Sequence, residues 1–161
     1  MKGKLEPNSK VLVFGNQGLV DECLEVGLRA EILQPLLPGE TVYSPVLSDT
    51  DFAKYVIDPE VRAIAKGVCH SFDQRKLAVA SIYLQSPAVT EFVVTNDDPV
   101  FISGASGRLM PDVGATLAAL ETASGRTAHR VGKPGNFGLE AMLADHFQEE
   151  REDWAKPEYL S

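Results

Sequence analysis

The sequence is short of the features that staple, span or repeat. Its 161 residues hold two cysteines, Cys23 and Cys69. Two are too few for a disulfide framework, and they form no CxxC pair. Cys69 abuts His70, but adjacent residues do not match the spacing of a structural zinc site, so no metal is expected. The opening stretch, Met1 to Lys10, lacks the apolar core of a signal peptide. No apolar run approaches the roughly 18 residues that span a bilayer, so no membrane insertion is expected. Basic residues are the scarcer sign: 15 Lys and Arg against 23 Asp and Glu leave a formal charge of −8. Such a chain is a poor match for a phosphate backbone or an anionic membrane surface, which argues against a nucleic-acid partner. Disorder is excluded as well, because 44% of the residues are hydrophobic and 24% charged, an ordinary globular balance. A soluble, reducing, intracellular compartment is the expectation, with cytoplasm and organelle not distinguished.

What is present alternates between strand and helix. Val11 to Phe14 is a short apolar run ending at Gly15, which reads as a buried strand. Asn16-Gln17-Gly18 turns the chain, Leu19 to Val26 carries a helical apolar face, and Leu28 to Leu33 reads as the next strand. Strand, helix and strand within about 25 residues make a βαβ unit, and such units build parallel sheets. Residues 35–50 hold three prolines, a glycine and several hydroxyl residues, a loop composition. Strands are predicted over Val61–Val68 and Phe92–Val94. Helices are predicted over Gln74–Leu84, capped by Asp73, and over Val113–Thr122, with Val113, Leu117 and Leu120 on one face. The segment Asp97–Gly107 reads as a Gly/Ser/Asp/Pro loop. His129–Val131 is predicted as a short strand, Phe137–Phe147 as a last helix, and residues 148–161 as a charged tail without periodicity.

Two motifs give way to plainer readings. Gly15-Asn16-Gln17-Gly18 has the position of half a dinucleotide fingerprint, but the third glycine and the later acidic residue are missing, so it reads as a tight βα turn. His70, Ser71 and Asp73 contain the residue types of a triad, yet triads converge in space rather than in sequence. His129 and His146 have no partner spacing. Val131-Gly132-Lys133-Pro134 is more informative. It sets a lysine at the carboxyl end of a strand, the edge where open α/β sheets bind ligands, and an ammonium there can neutralise a phosphate or a carboxylate.

Four stretches then agree in order with one family: Phe92-Val93-Val94-Thr95-Asn96-Asp97-Asp98-Pro99, Gly107 to Gly114, Leu117 to Arg126, and Val131-Gly132-Lys133-Pro134. Val11–Gly27 and Ala63–Leu77 add to the match. Over residues 8–146 the chain resembles the haloacid-dehalogenase-like phosphatases of the 4-nitrophenylphosphatase, phosphoglycolate phosphatase and pyridoxal phosphate phosphatase group. The resemblance implies an α/β fold: a cap-like domain over residues 8–127, a remnant of the Rossmann-like core over 128–147, and the tail. It implies that Lys133 is the lysine of the family's third motif, which balances charge between the attacking aspartate and the phosphate. It also implies that Thr95, Asn96, Asp97, Asp98 and Phe101 form the substrate-specificity loop that closes over the ester. Phe101 stands where some relatives have histidine, and Cys69 where relatives usually carry an acid.

The family's Asp-x-Asp-Gly nucleophile stretch, its Ser/Thr phosphate motif and its Gly-Asp-x-x-x-Thr-Asp magnesium stretch do not occur in these 161 residues. Phosphoryl transfer by that mechanism needs a carboxylate nucleophile and a cation, and one lysine supplies neither a nucleophilic carboxylate nor a magnesium site. No cofactor is therefore expected for this chain, although the active family uses magnesium. Three functions are expected in order: a non-catalytic structural or docking subunit with a protein partner or a second copy, a piece of a magnesium-dependent phosphatase acting on small phosphate esters, and a small phosphate-ester binder.

Overall fold

In the computed structural model, which describes residues 5–34, 36, 40 and 49–132, seven strands and four helices follow one another. The apolar run at Val11 becomes β1 (Lys10–Phe14), followed by α1 (Gln17–Glu25) and β2 (Arg29–Ile32). After a one-turn helix, α2 (Asp49–Phe52), come β3 (Val61–Lys66), α3 (Gln74–Gln85) and β4 (Glu91–Val94). A hairpin of β5 (Val100–Ile102) and β6 (Leu109–Pro111) leads into α4 (Val113–Ser124) and β7 (His129–Arg130). Five strands form one all-parallel sheet in the order β2-β1-β3-β4-β7, and β5 pairs antiparallel with β6.

Alternation along the strands divides the core into two faces. Leu12, Phe14, Ile64, Phe92 and Val94 pack with Val79, Leu84, Leu117 and Leu120 of α3 and α4. Val11, Val13, Ala63 and Ala65 pack with Val20 of α1. A parallel sheet covered on both faces needs near-continuous apolar strands, and this is why β1 and β3 read as runs rather than as alternating patterns.

Local chemistry fixes the helix ends. Asn16 accepts a hydrogen bond from the Leu19 amide, so α1 starts within the stretch expected to be a turn. Asp73 accepts from the Lys76 amide at 2.8 Å, as expected. Replacing Asp73 with Ala should lower stability by about 1 kcal/mol, a drop that thermal melting resolves. Gly125 closes α4 at φ 68°, a left-handed conformation that costs glycine least.

The segment expected to be a loop between Asp97 and Gly107 instead contains β5 and starts the hairpin. Its turn residues are real, since Gly107 adopts φ 64° and its amide donates to the Ser103 carbonyl. They connect two three-residue strands whose side chains stay exposed, so burial leaves no alternating signal. The carboxyl end of the expected loop 35–50 likewise holds the start of α2. β7 joins the same sheet as β1 to β4, so the sheet runs without interruption into the stretch expected to be a core remnant. Lys133, the helix expected over 137–147 and the tail lie outside the described residues. Among the described residues no helix is long and apolar enough to cross a membrane.

Candidate functional site

The carboxyl edge of the parallel sheet carries the segments singled out by sequence. Strand order reverses between β1 and β3, the position where such sheets open a ligand crevice. At that position Leu19 of α1 approaches Gly15 and Gly67, the two glycines that follow β1 and β3. Leu19 Cδ2 would lie 3.4 Å from a Cβ on Gly15 and 3.0 Å from one on Gly67. The half fingerprint at Gly15–Gly18 thus serves as the entry to α1, with Leu19 seated beside both glycines.

A cavity lies on the face covered by α3 and α4. Its volume is about 390 Å³, and it is walled by Val68, Cys69, His70 and Phe72 after β3, by Phe101 and Met110 of the hairpin, and by the first turn of α4 from Asp112 to Thr116. Phe72 stacks on Phe14 with ring centroids 5.7 Å apart, which anchors the 68–72 loop to β1. Asp112 accepts from the Val113 amide at 2.7 Å and holds the α4 terminus at the cavity wall. The hairpin's apolar side chains are exposed, Ile102 at 69% and Leu109 at 66%.

Of the expected loop residues, Phe101 lines this cavity. Thr95, Asn96, Asp97 and Asp98 form the root from which the hairpin rises. The root is held from several sides. The Thr95 amide donates to the Lys66 carbonyl at 3.0 Å, the Gly114 amide to the Asp98 carbonyl at 2.8 Å, and the Asp112 amide to the Pro99 carbonyl at 3.1 Å. Arg130 Nε donates to Asp97 Oδ2 at 2.8 Å, and the same guanidinium reaches both carboxylate oxygens of Glu121 at 3.3 Å. These two carboxylates raise the Arg130 pKa above its ordinary value, the Asp97 hydrogen bond contributing most. Asn96 Oδ1 is buried and has no hydrogen-bond partner.

The triad types at 70–73 have other work. Asp73 caps α3, and Ser71 accepts from the Lys76 ammonium through both its carbonyl and its hydroxyl oxygen. Among the described residues no group of three or more His, Cys, Asp or Glu is placed to hold a metal ion. The donor set among the described residues does not fit magnesium, which takes several oxygen ligands near octahedral geometry.

Lys66 escaped the sequence reading. Its side chain is fully buried at the carboxyl end of β3. Nζ donates to the Gly67 carbonyl and sits 5.0 Å from the Phe14 ring centroid. Burial pulls its pKa down to about 8, against the weaker opposing pull of Cys69 and Asp112. A lysine closing an apolar strand looks like a solvated end in sequence. Its in-phase spacing with Leu12-type positions, two residues after Ile64, is the signal that places it on the α3/α4 face.

No family model matches the chain. Bos taurus chronophin is 32% identical over 145 residues, covering 90% of this chain and 42% of chronophin. The 4-nitrophenylphosphatase of Schizosaccharomyces pombe is 33% identical over 144 residues, covering 88% of this chain and 45% of that protein. Among solved structures, glycerol phosphate phosphatase from Mycobacterium tuberculosis in complex with magnesium matches at TM-score 0.63 and 25% identity, over 90% of this chain and 36% of that one. The p-nitrophenyl phosphatase from Archaeoglobus fulgidus shares the fold at TM-score 0.59 and 20% identity, over 86% of this chain and 42% of its own. The chain spans about two fifths of the length of the curated relatives it matches. Over that shared span, the chain is similar in sequence and fold to phosphatases of the haloacid-dehalogenase-like group.

Proposed function

We propose that this chain is the substrate-covering part of a magnesium-dependent phosphatase for small phosphate esters, the bond-breaking carboxylates and metal ligands being supplied by sequence outside these 161 residues. The observation that carries the reading is the cavity at the carboxyl edge, walled by the 68–72 loop and by the hairpin that bears Phe101. Its apolar walls suit the organic half of an ester and exclude water from it. In this reading Lys133 neutralises the phosphate, and residues 8–127 and 128–147 act as cap and core segments.

Titration of the isotope-labelled chain with phenyl phosphate tests the reading by NMR. Shifts concentrated at Val68–His70, Phe101 and Met110–Val113 support it, and shifts elsewhere or none up to millimolar ligand contradict it. Phe101→His exchanges apolar wall for a polar ring. It should weaken phenyl phosphate about fivefold, the worth of roughly 1 kcal/mol of lost apolar contact, while leaving glycerol phosphate unchanged in the same titration.

The exposed apolar hairpin supports a second reading, a non-catalytic structural or docking subunit bound to a protein partner or to a second copy. A monomeric mass at high concentration in light scattering counts against the second copy.

A further inference from the structure

The geometry points to Arg130 as the positioning residue of the 95–98 loop, holding it in place before any ligand arrives. The guanidinium joins three separate elements: β7, from which it extends, the loop through Asp97, and α4 through Glu121. Its own hydrogen bond to the Ala128 carbonyl at 3.1 Å adds a fourth anchor. A planar guanidinium with five donors can serve such divergent acceptors at once, which an ammonium does less well.

The backbone around it leaves little slack. A Cβ on Gly132 would stand 1.7 Å from the Thr95 carbonyl oxygen, and one on Gly114 would stand 2.2 Å from the Asp97 carbonyl oxygen. The loop is thus wedged between the end of β7 and the start of α4, and Arg130 joins the two sides of the wedge. Because Phe101, Met110 and Asp112 extend from this root, the Arg130 latch also sets the cavity wall. The expected closing motion then belongs to the exposed hairpin, while residues 95–98 act as its fixed base. The inference rests on the proposed function only for what the cavity is used for.

Amide hydrogen exchange on the full chain tests it without a ligand, so its outcome is independent of phosphate-ester binding. The Gly114 and Asp112 amides, which donate to the Asp98 and Pro99 carbonyls, report on the loop, and the Leu33 amide, which donates to the Val13 carbonyl, reports on the sheet. In Arg130→Gln, exchange at Gly114 and Asp112 should accelerate about tenfold with Leu33 unchanged. Asp97→Asn, which keeps the shape and removes the charge, should give the same pattern, and Arg130→Lys should recover part of the protection. Unchanged exchange at Gly114 and Asp112 in both the Gln and Asn variants overturns the assignment. So does acceleration equal to that at Leu33, which marks general loss of stability.

Discussion

Gly114→Ala should destabilise the protein by about 2 kcal/mol or more, against the usual expectation for a glycine inside a helix. At an open helical site the change to alanine gains about 1 kcal/mol. Here the new Cβ would meet the Asp97 carbonyl oxygen at 2.2 Å and two further backbone carbons at 2.7 and 2.8 Å. Backbone cannot swing aside as a side chain does, so either α4 or the 95–98 loop must shift. Overpacking of this kind costs about 3 kcal/mol, which exceeds the propensity gain. The Gly114–Asp98 hydrogen bond would stretch with the shift. Denaturant unfolding of the variant checks the sign: a midpoint at or above that of the parent would show that the close approach is absent.

Lys66→Met should have the opposite effect. The lysine is charged at neutral pH and fully buried, and among the described residues no carboxylate is paired with it. Its pKa falls from 10.5 to about 8 in the folded chain. Below pH 8 the group is protonated in both the folded and the unfolded chain, and the full cost of burying the charge is present. Between about pH 8 and 10.5 the unfolded chain binds the proton and the folded chain does not, so stability rises with pH across that window. A shift of that size corresponds to about 3 kcal/mol. Methionine keeps most of the volume and the contact with Phe14 without the charge. The variant should therefore gain up to about 3 kcal/mol at pH 7 and lose the rise between pH 8 and 10.5. A parent whose stability is flat over that window would contradict this.

Burial decided which features were legible from the residues alone. β1, α3 and α4 were readable because each presents a one-sided or two-sided apolar pattern, and Val113, Leu117 and Leu120 are the buried residues of α4, as their spacing implies. The hairpin was not readable. Its strands are three residues long, exposed on both sides, and flanked by Pro99, Gly104 and Gly107, so turn composition outweighed the β-prone Val100-Phe101-Ile102. The Arg130–Asp97 contact joins residues 33 apart, and charged pairs at that distance leave no periodic trace. Cys69 and His70 are residue types of metal and triad chemistry, but their spacing in sequence fits neither. Their place on the cavity wall follows from the 68–72 loop folding over Phe14, which only the tertiary structure reveals.

In the proposed function, this chain covers a phosphate-ester site whose reactive carboxylates lie elsewhere in sequence. The direct measurement is turnover of 4-nitrophenyl phosphate with magnesium by a chimera, in which this chain replaces the matched segment of the Schizosaccharomyces pombe 4-nitrophenylphosphatase. The proposed function predicts that the chimera hydrolyses the ester, that Lys133→Ala lowers its kcat roughly a hundredfold or more, and that this chain alone gives the blank rate. A folded chimera without turnover, or hydrolysis by the isolated chain that Lys133→Ala abolishes, would contradict it.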